Sequence, residues 1–192
     1  GVALGEVASG HLVWAVVAAT SGIPAGALAG TYAGVGADAS IGIGAGANGF
    51  SVTRRHLTLA GETADLSQVR QNDRLIVSVS GRNLEGGYHE VALLDLLPAG
   101  FEIESVLNEE TAKSFPFLSK LTVPRIAEGR DDRFFASFNL GDRLYRSWWD
   151  SENRFGNSYH VAYIVRAVTP GTFALPAVNV SDMYAPRVYA RS

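Results

Sequence analysis

The adjacent carboxylates Asp131 and Asp132 are the first pair whose residue types suggest chemistry, either proton transfer or a hard-metal site, because neighbouring carboxylates shift each other's pKa. Adjacent residues on a strand point to opposite faces, however, and Arg130 and Arg133 flank the pair. A turn at the entry to a strand, held by arginine pairing, is therefore the expected role. The histidines His11, His56, His89 and His160 show no i, i+4 pair and no ligand spacing, so no metal site is expected. Serine is plentiful, but there is no G-x-S-x-G elbow, and no Ser-His-Asp arrangement can be argued from the order of residues alone. No catalytic residue is assigned. The chain has no cysteine, which excludes disulfides, thiolate nucleophiles, thiolate-bound zinc and an internal thioester.

One stretch fits a cofactor motif. Gly44-Ala45-Gly46-Ala47-Asn48-Gly49 has the spacing G-x-G-x-x-G, with Glu62 and Asp65 at a distance suited to a ribose contact. A dinucleotide fingerprint must open a helix, so that the pyrophosphate sits on the helix N-terminus. Phe50 to Leu59 instead alternates with period two like a strand. A glycine-rich strand and turn is the better reading, and no cofactor is expected. Two apolar pairs remain. Trp148 and Trp149 either cap a sandwich or contact a neighbouring domain, with capping favoured. By residue type alone Met183 and Tyr184 would be ordinary core.

The elements that would carry these residues divide into two unlike parts. All 16 Lys and Arg residues lie after Phe50; before Gly49 the formal charges are Glu6 and Asp38, and Gly with Ala make up half of the stretch. The scattered arginines form no basic stripe interleaved with aromatics, which argues against a nucleic-acid partner. The longest apolar run, Leu12 to Ala19, is far short of the ~20 residues a membrane span needs, and no basic region precedes it as in a signal peptide. The absence of an initial Met suggests that the natural amino terminus lies elsewhere.

In the first part, residues 1–48, Leu12 to Ala18 is bounded by Gly10 and by Thr20-Ser21-Gly22-Ile23-Pro24, which predicts a buried strand. Gly30 to Gly36 and Ala39 to Gly44 read as glycine-faced β ribbons that need a larger sheet to lean on. The stretch from Val13 to Val16, Ser21 to Tyr32 and Gly42 to Asn48 resembles the later half of a family of small exported bacterial proteins of unknown function. The resemblance implies a partial β domain and carries no activity.

The second part, residues 49–192, shows strand signals at the spacing of a β-sandwich. They are Phe50 to Leu59, Leu75 to Ser80, Glu90 to Leu97, Phe101 to Val106, Arg133 to Leu140, Tyr159 to Val168, Gly171 to Pro176 and Arg187 to Ala190, about seven or eight in all. Phe101 to Val106 alternates apolar with acidic residues, so its acidic face should meet water. Tyr159, Val161, Tyr163, Val165 and Ala167 should share one buried face. Asn108 can cap a short helix over 108–119, with Glu109 and Glu110 in its first turn and Pro116 limiting it. The expected fold is an all-β, immunoglobulin-like sandwich with one short helix, preceded by the glycine-rich ribbons.

Several blocks of this second part match a known domain in order: Val52-Thr53-Arg54-Arg55, Val69 to Leu75, Asp95 to Ile103, Asp131-Asp132-Arg133, Val165 to Phe173 and Asp182-Met183-Tyr184-Ala185-Pro186. Together they resemble the carboxyl-terminal macroglobulin-like domain of bacterial alpha-2-macroglobulins. The resemblance implies a non-catalytic module of a periplasmic protease trap, packed against the thioester domain and neighbouring domains, with trapped proteases as indirect partners. It implies that the loop bearing Met183 and Tyr184, after Asp182, shields the thioester from water before activation; a soft Met beside an aromatic ring makes an adaptable apolar lid. It also implies a last strand cut short at Ser192. The alternative function is an independent adhesive or ligand-binding sandwich of the cell envelope, which a large exposed Trp-rich patch would favour.

Overall fold

The structure, a computed structural model, describes residues 46–141 and 156–192. The predicted strand at Leu12 to Ala18, both glycine ribbons and the Trp148-Trp149 pair lie outside the described residues.

Among the described residues ten antiparallel strands form two sheets. One sheet holds six strands in the order β1 (Ala47–Asn48), β10 (Tyr189–Arg191), β9 (Val178–Asp182), β4 (His89–Leu96), β7 (Arg133–Leu140) and β6 (Ile126–Arg130). The other holds β2 (Phe50–Thr58), β3 (Arg74–Asn83), β8 (Ser158–Ala167) and β5 (Phe101–Val106). The predicted sandwich and its aromatic face are as expected: Tyr159, Val161, Tyr163, Val165 and Ala167 are all buried between the sheets. Phe134 stacks on Tyr163 at 4.5 Å between ring centroids, and Phe138 meets Tyr159 at 5.0 Å, so β7 of one sheet is keyed to β8 of the other. The glycine motif leads into β1 and β2 rather than a helix, as the alternation of Phe50 to Leu59 required, and Gly49 turns the chain between them with φ +81°.

β8 is buried on both faces, which alternation alone does not predict. Ile76, Ala162 and Ile164 point away from the main core, and Leu107, Leu121, Phe115 and Leu118 of the 107–122 segment cover them. That segment differs from the predicted helix. It holds a single 3-10 turn, Thr111–Ser114, with the Asn108 Oδ1 accepting the backbone N–H groups of Glu110 and Thr111. The expected cap is present, but Pro116 leaves no room for a second turn.

Two strand expectations are corrected, and two strands are new. Gly171 to Pro176 is not a strand: proline at each end removes ladder donors, and Phe173 and Leu175 pack on the core from an irregular path. The last strand is Tyr189–Arg191 rather than Arg187 to Ala190, because Arg187 and Val188 complete the preceding turn. β6 and β9 were not anticipated. Every residue of β6 is exposed, so it carries no alternation signal, and β9 is a five-residue run of which Val178, Val180 and Asp182 point inward.

Asp131 and Asp132 form the turn between β6 and β7, as the flanking arginines suggested. Asp132 accepts from Arg133 Nε at 3.0 Å, whereas Arg130 pairs with Glu128 at 2.7 Å. On β5 Glu102 and Glu104 face water, and each pairs with an arginine of the same sheet, Arg166 and Arg74.

Candidate functional site

β9 and β10 are joined by a tight turn at one end of the sandwich, and the predicted interface residues sit there. The turn is closed by backbone hydrogen bonds from Asp182 N–H to the Val188 carbonyl at 3.0 Å and from Val188 N–H to the Ala185 carbonyl at 2.8 Å. Met183 N–H donates to the Glu90 carbonyl at 2.8 Å, extending the β4–β9 ladder by one residue. Asn48 Nδ2 reaches the Arg187 carbonyl at 2.6 Å, tying the turn to β1.

With the backbone fixed, the side chains of Met183 and Tyr184 project: they are 42% and 80% exposed. Their exposure departs from the core role that residue type alone assigns, since a large apolar pair on a rigid turn gains nothing from water. Asp182 lies differently from its neighbours. It is buried, and its Oδ1 accepts the N–H groups of Tyr184 and Ala185 at 2.7 and 2.6 Å, the geometry of an Asx turn. Its Oδ2 lies 2.8 Å from Nδ1 of His89. Burial pushes the Asp182 carboxyl up, but these backbone N–H groups and His89 outweigh it and hold the group below the usual carboxylate range. Asp182 therefore acts as an ionised clamp beneath the tip rather than as a contact surface.

His89 is the residue that sequence reasoning missed here. It stands 93 positions from Asp182, and no local spacing announces the pair. Leu84 and Tyr189, both partly exposed, belong to the same end of the sandwich: Leu84 N–H bonds to the Gly49 carbonyl, and Gly49 bridges to Tyr189.

Elsewhere the structure gives His160 two serine partners, Ser78 Oγ at 2.8 Å from Nε2 and Ser119 Oγ at 2.9 Å from Nδ1. Burial pushes the pKa of this imidazole down. In a hydrolytic triad one ring nitrogen is oriented by a carboxylate. Here serine hydroxyls take both, so the ring is a polar strut between β8 and the segment that covers it.

Comparison with known proteins decides the family. Residues 49–187 match the profile described as "Bacterial Alpha-2-macroglobulin MG10 domain". The chain belongs to that family. Alpha-2-macroglobulin of Xylella fastidiosa (strain 9a5c) is 32% identical over 148 residues, covering 70% of this chain and 8% of that protein. A solved mutant of Salmonella alpha-2-macroglobulin superposes with a TM-score of 0.61 at 27% identity, over 76% of this chain and 9% of that one. Escherichia coli alpha-2-macroglobulin activated by porcine elastase gives 0.60 at 27% identity, over 74% and 12%. The chain thus spans less than a tenth of the curated relative's length.

The resemblance read from the ordered blocks is borne out, as is the β-sandwich. Residues 1–60 also match a family described as "Protein of unknown function (DUF992)". The two matches overlap over residues 49–60, and there β2 of the MG10 domain pairs with β3 from Phe50 to Thr58. Among the described residues no helix is long and apolar enough to cross a membrane.

Proposed function

We propose that this MG10 domain is a non-catalytic docking module of a macroglobulin-type protease trap in the bacterial periplasm. It packs on the thioester domain of the parent protein and covers the thioester with the Met183-Tyr184 tip. Proteases are partners only of the whole trap. The observation that carries this reading is the exposed Met and Tyr on a turn whose backbone is fixed by Asp182, β4 and β1. A thioester survives only where water is kept out, and a flexible thioether beside an aromatic ring fits an irregular apolar surface at little entropic cost because the backbone beneath is already ordered. The family match starts at residue 49 and Ala47–Asn48 already pair with β10, which supports treating the residues before 47 as a separate, partial β unit.

Calorimetry of the full chain against an isolated thioester domain tests the docking. Binding that weakens at least tenfold in Met183→Ala supports it, since an interface anchor of this size is worth more than 1 kcal/mol, roughly. Absence of binding, or binding indifferent to Met183 and Tyr184 substitution, overturns it.

A further inference from the structure

The imidazole of His89 has an oxygen acceptor against each ring nitrogen. Nδ1 lies 2.8 Å from Oδ2 of Asp182, and Nε2 lies 2.8 Å from the Gly86 carbonyl oxygen. A neutral ring carries one N–H and one lone pair, so it satisfies one of these contacts and sets a lone pair against an oxygen in the other. Only the doubly protonated ring donates to both. The ring is buried, packed edge-on to Phe50 of β2 at 5.2 Å between centroids, so water does not readily replace a missing partner.

We infer that His89, as an imidazolium, is a positioning residue for the Met183-Tyr184 tip. It holds the Asp182 carboxylate by Oδ2, so that Oδ1 stays aimed at the N–H groups of Tyr184 and Ala185. This inference rests on reading the tip as the thioester cover, and it adds that the cover is held in place from beneath by the His89 ring, which donates to Asp182 on one side and to the Gly86 carbonyl on the other. The surrounding charges are otherwise engaged. Glu85, beside Gly86, faces Arg187 at 3.9 Å, and Glu90, next on β4, faces Arg125 at 3.3 Å. From β7 the register partner of His89 is Leu140, which is uncharged.

The test is an NMR titration of the full chain over about pH 5 to 8, the range in which histidine changes charge, following the His89 ring nitrogens and the Tyr184 and Ala185 amides. The expected result is one shared midpoint for the ring and both amides, with both ring nitrogens protonated on its acid side. In His89→Gln that midpoint should vanish from the amides, and at acidic pH they should exchange about tenfold faster than in the parent chain, as for loss of a charge-assisted bond. A ring that is neutral throughout the range, or amides indifferent to the ring's titration, overturns the inference even if His89→Gln fails to fold. Thioester hydrolysis in a full-length macroglobulin carrying this domain separates the two readings. If the amides follow the ring but neither Met183→Ala nor His89→Gln alters hydrolysis, the positioning stands and the covering role fails. If Met183→Ala speeds hydrolysis while the amides ignore the ring, the covering role stands and the positioning fails.

Discussion

Arg54 Nη1 on β2 lies 2.6 Å from Oδ1 of Asp95 on β4, so one ion pair bridges the two sheets across the core. Tyr163 Oη donates to the other carboxylate oxygen at 2.7 Å, and Arg54 Nη2 to the Pro176 carbonyl at 2.7 Å. Burial raises the Asp95 pKa even though Arg54 and Tyr163 oppose it. The pair is thus satisfied but strongly desolvated.

Removing one partner should therefore cost far more than removing both. Arg54→Ala leaves Asp95 buried without its cation and should lower unfolding stability by about 3–5 kcal/mol, whereas Arg54→Met with Asp95→Leu should recover most of the loss. Urea unfolding of the full chain decides this; equal losses in the single and double variants would contradict the assignment.

Gly81 on β3 faces Tyr159, and a methyl there would overlap the Ser51 carbonyl oxygen and the Tyr159 hydroxyl. The same two groups share a hydrogen bond of 2.7 Å. Gly81→Ala should destabilise the chain by about 2 kcal/mol or more through overpacking and loss of that bond. Adding Tyr159→Phe, which removes the hydroxyl, should restore part of the loss in the same denaturation measurement.

His56 follows Arg54 on the inner face of β2, and burial first, then the Arg54 charge, pushes its pKa down to about 3. Between an ordinary histidine pKa near 6.5 and that depressed value, the unfolded chain binds a proton that the folded chain does not. Stability therefore falls as pH falls through this window, by up to about 1.4 kcal/mol per pH unit. Asp95, with its raised pKa, contributes with the opposite sign, so the comparison of interest is between variants. Unfolding free energies of the parent chain and His56→Gln at several pH values should show the variant's acid slope smaller by that amount. Parallel slopes would count against a neutral, partly buried His56.

At the tip, exposure separates stability from function. Tyr184→Ala, at a residue 80% exposed, should change unfolding stability by less than about 0.5 kcal/mol, while Asp182→Ala should cost about 1–3 kcal/mol because it strands two backbone donors and His89. Thermal melts of the two variants test this. A severe loss in Tyr184→Ala would mean that its ring is part of the core.

The sequence alone determined the class of fold and the family, because both are written locally. Period-two alternation places Tyr159 to Ala167 on one face, turn residues punctuate the strands, and six ordered blocks from Val52 to Pro186 carry the macroglobulin resemblance. It also excluded the nucleotide reading of Gly44 to Gly49, since Phe50 to Leu59 alternates like a strand where a helix would be needed. Where alternation was missing or interrupted, reading failed: exposed β6 has none, β9 is short, and Gly171 to Pro176 imitates a strand that its prolines forbid. Only the tertiary structure decided which polar residues matter. Arg54 and Asp95 are 41 positions apart and His89 and Asp182 are 93 apart, so their pairing depends on which strands become neighbours. Likewise, Met183 and Tyr184 have the composition of core residues. Their exposure comes from a backbone hydrogen-bonded into a closed turn, with Asp182, rather than the apolar pair, filling the interior beneath.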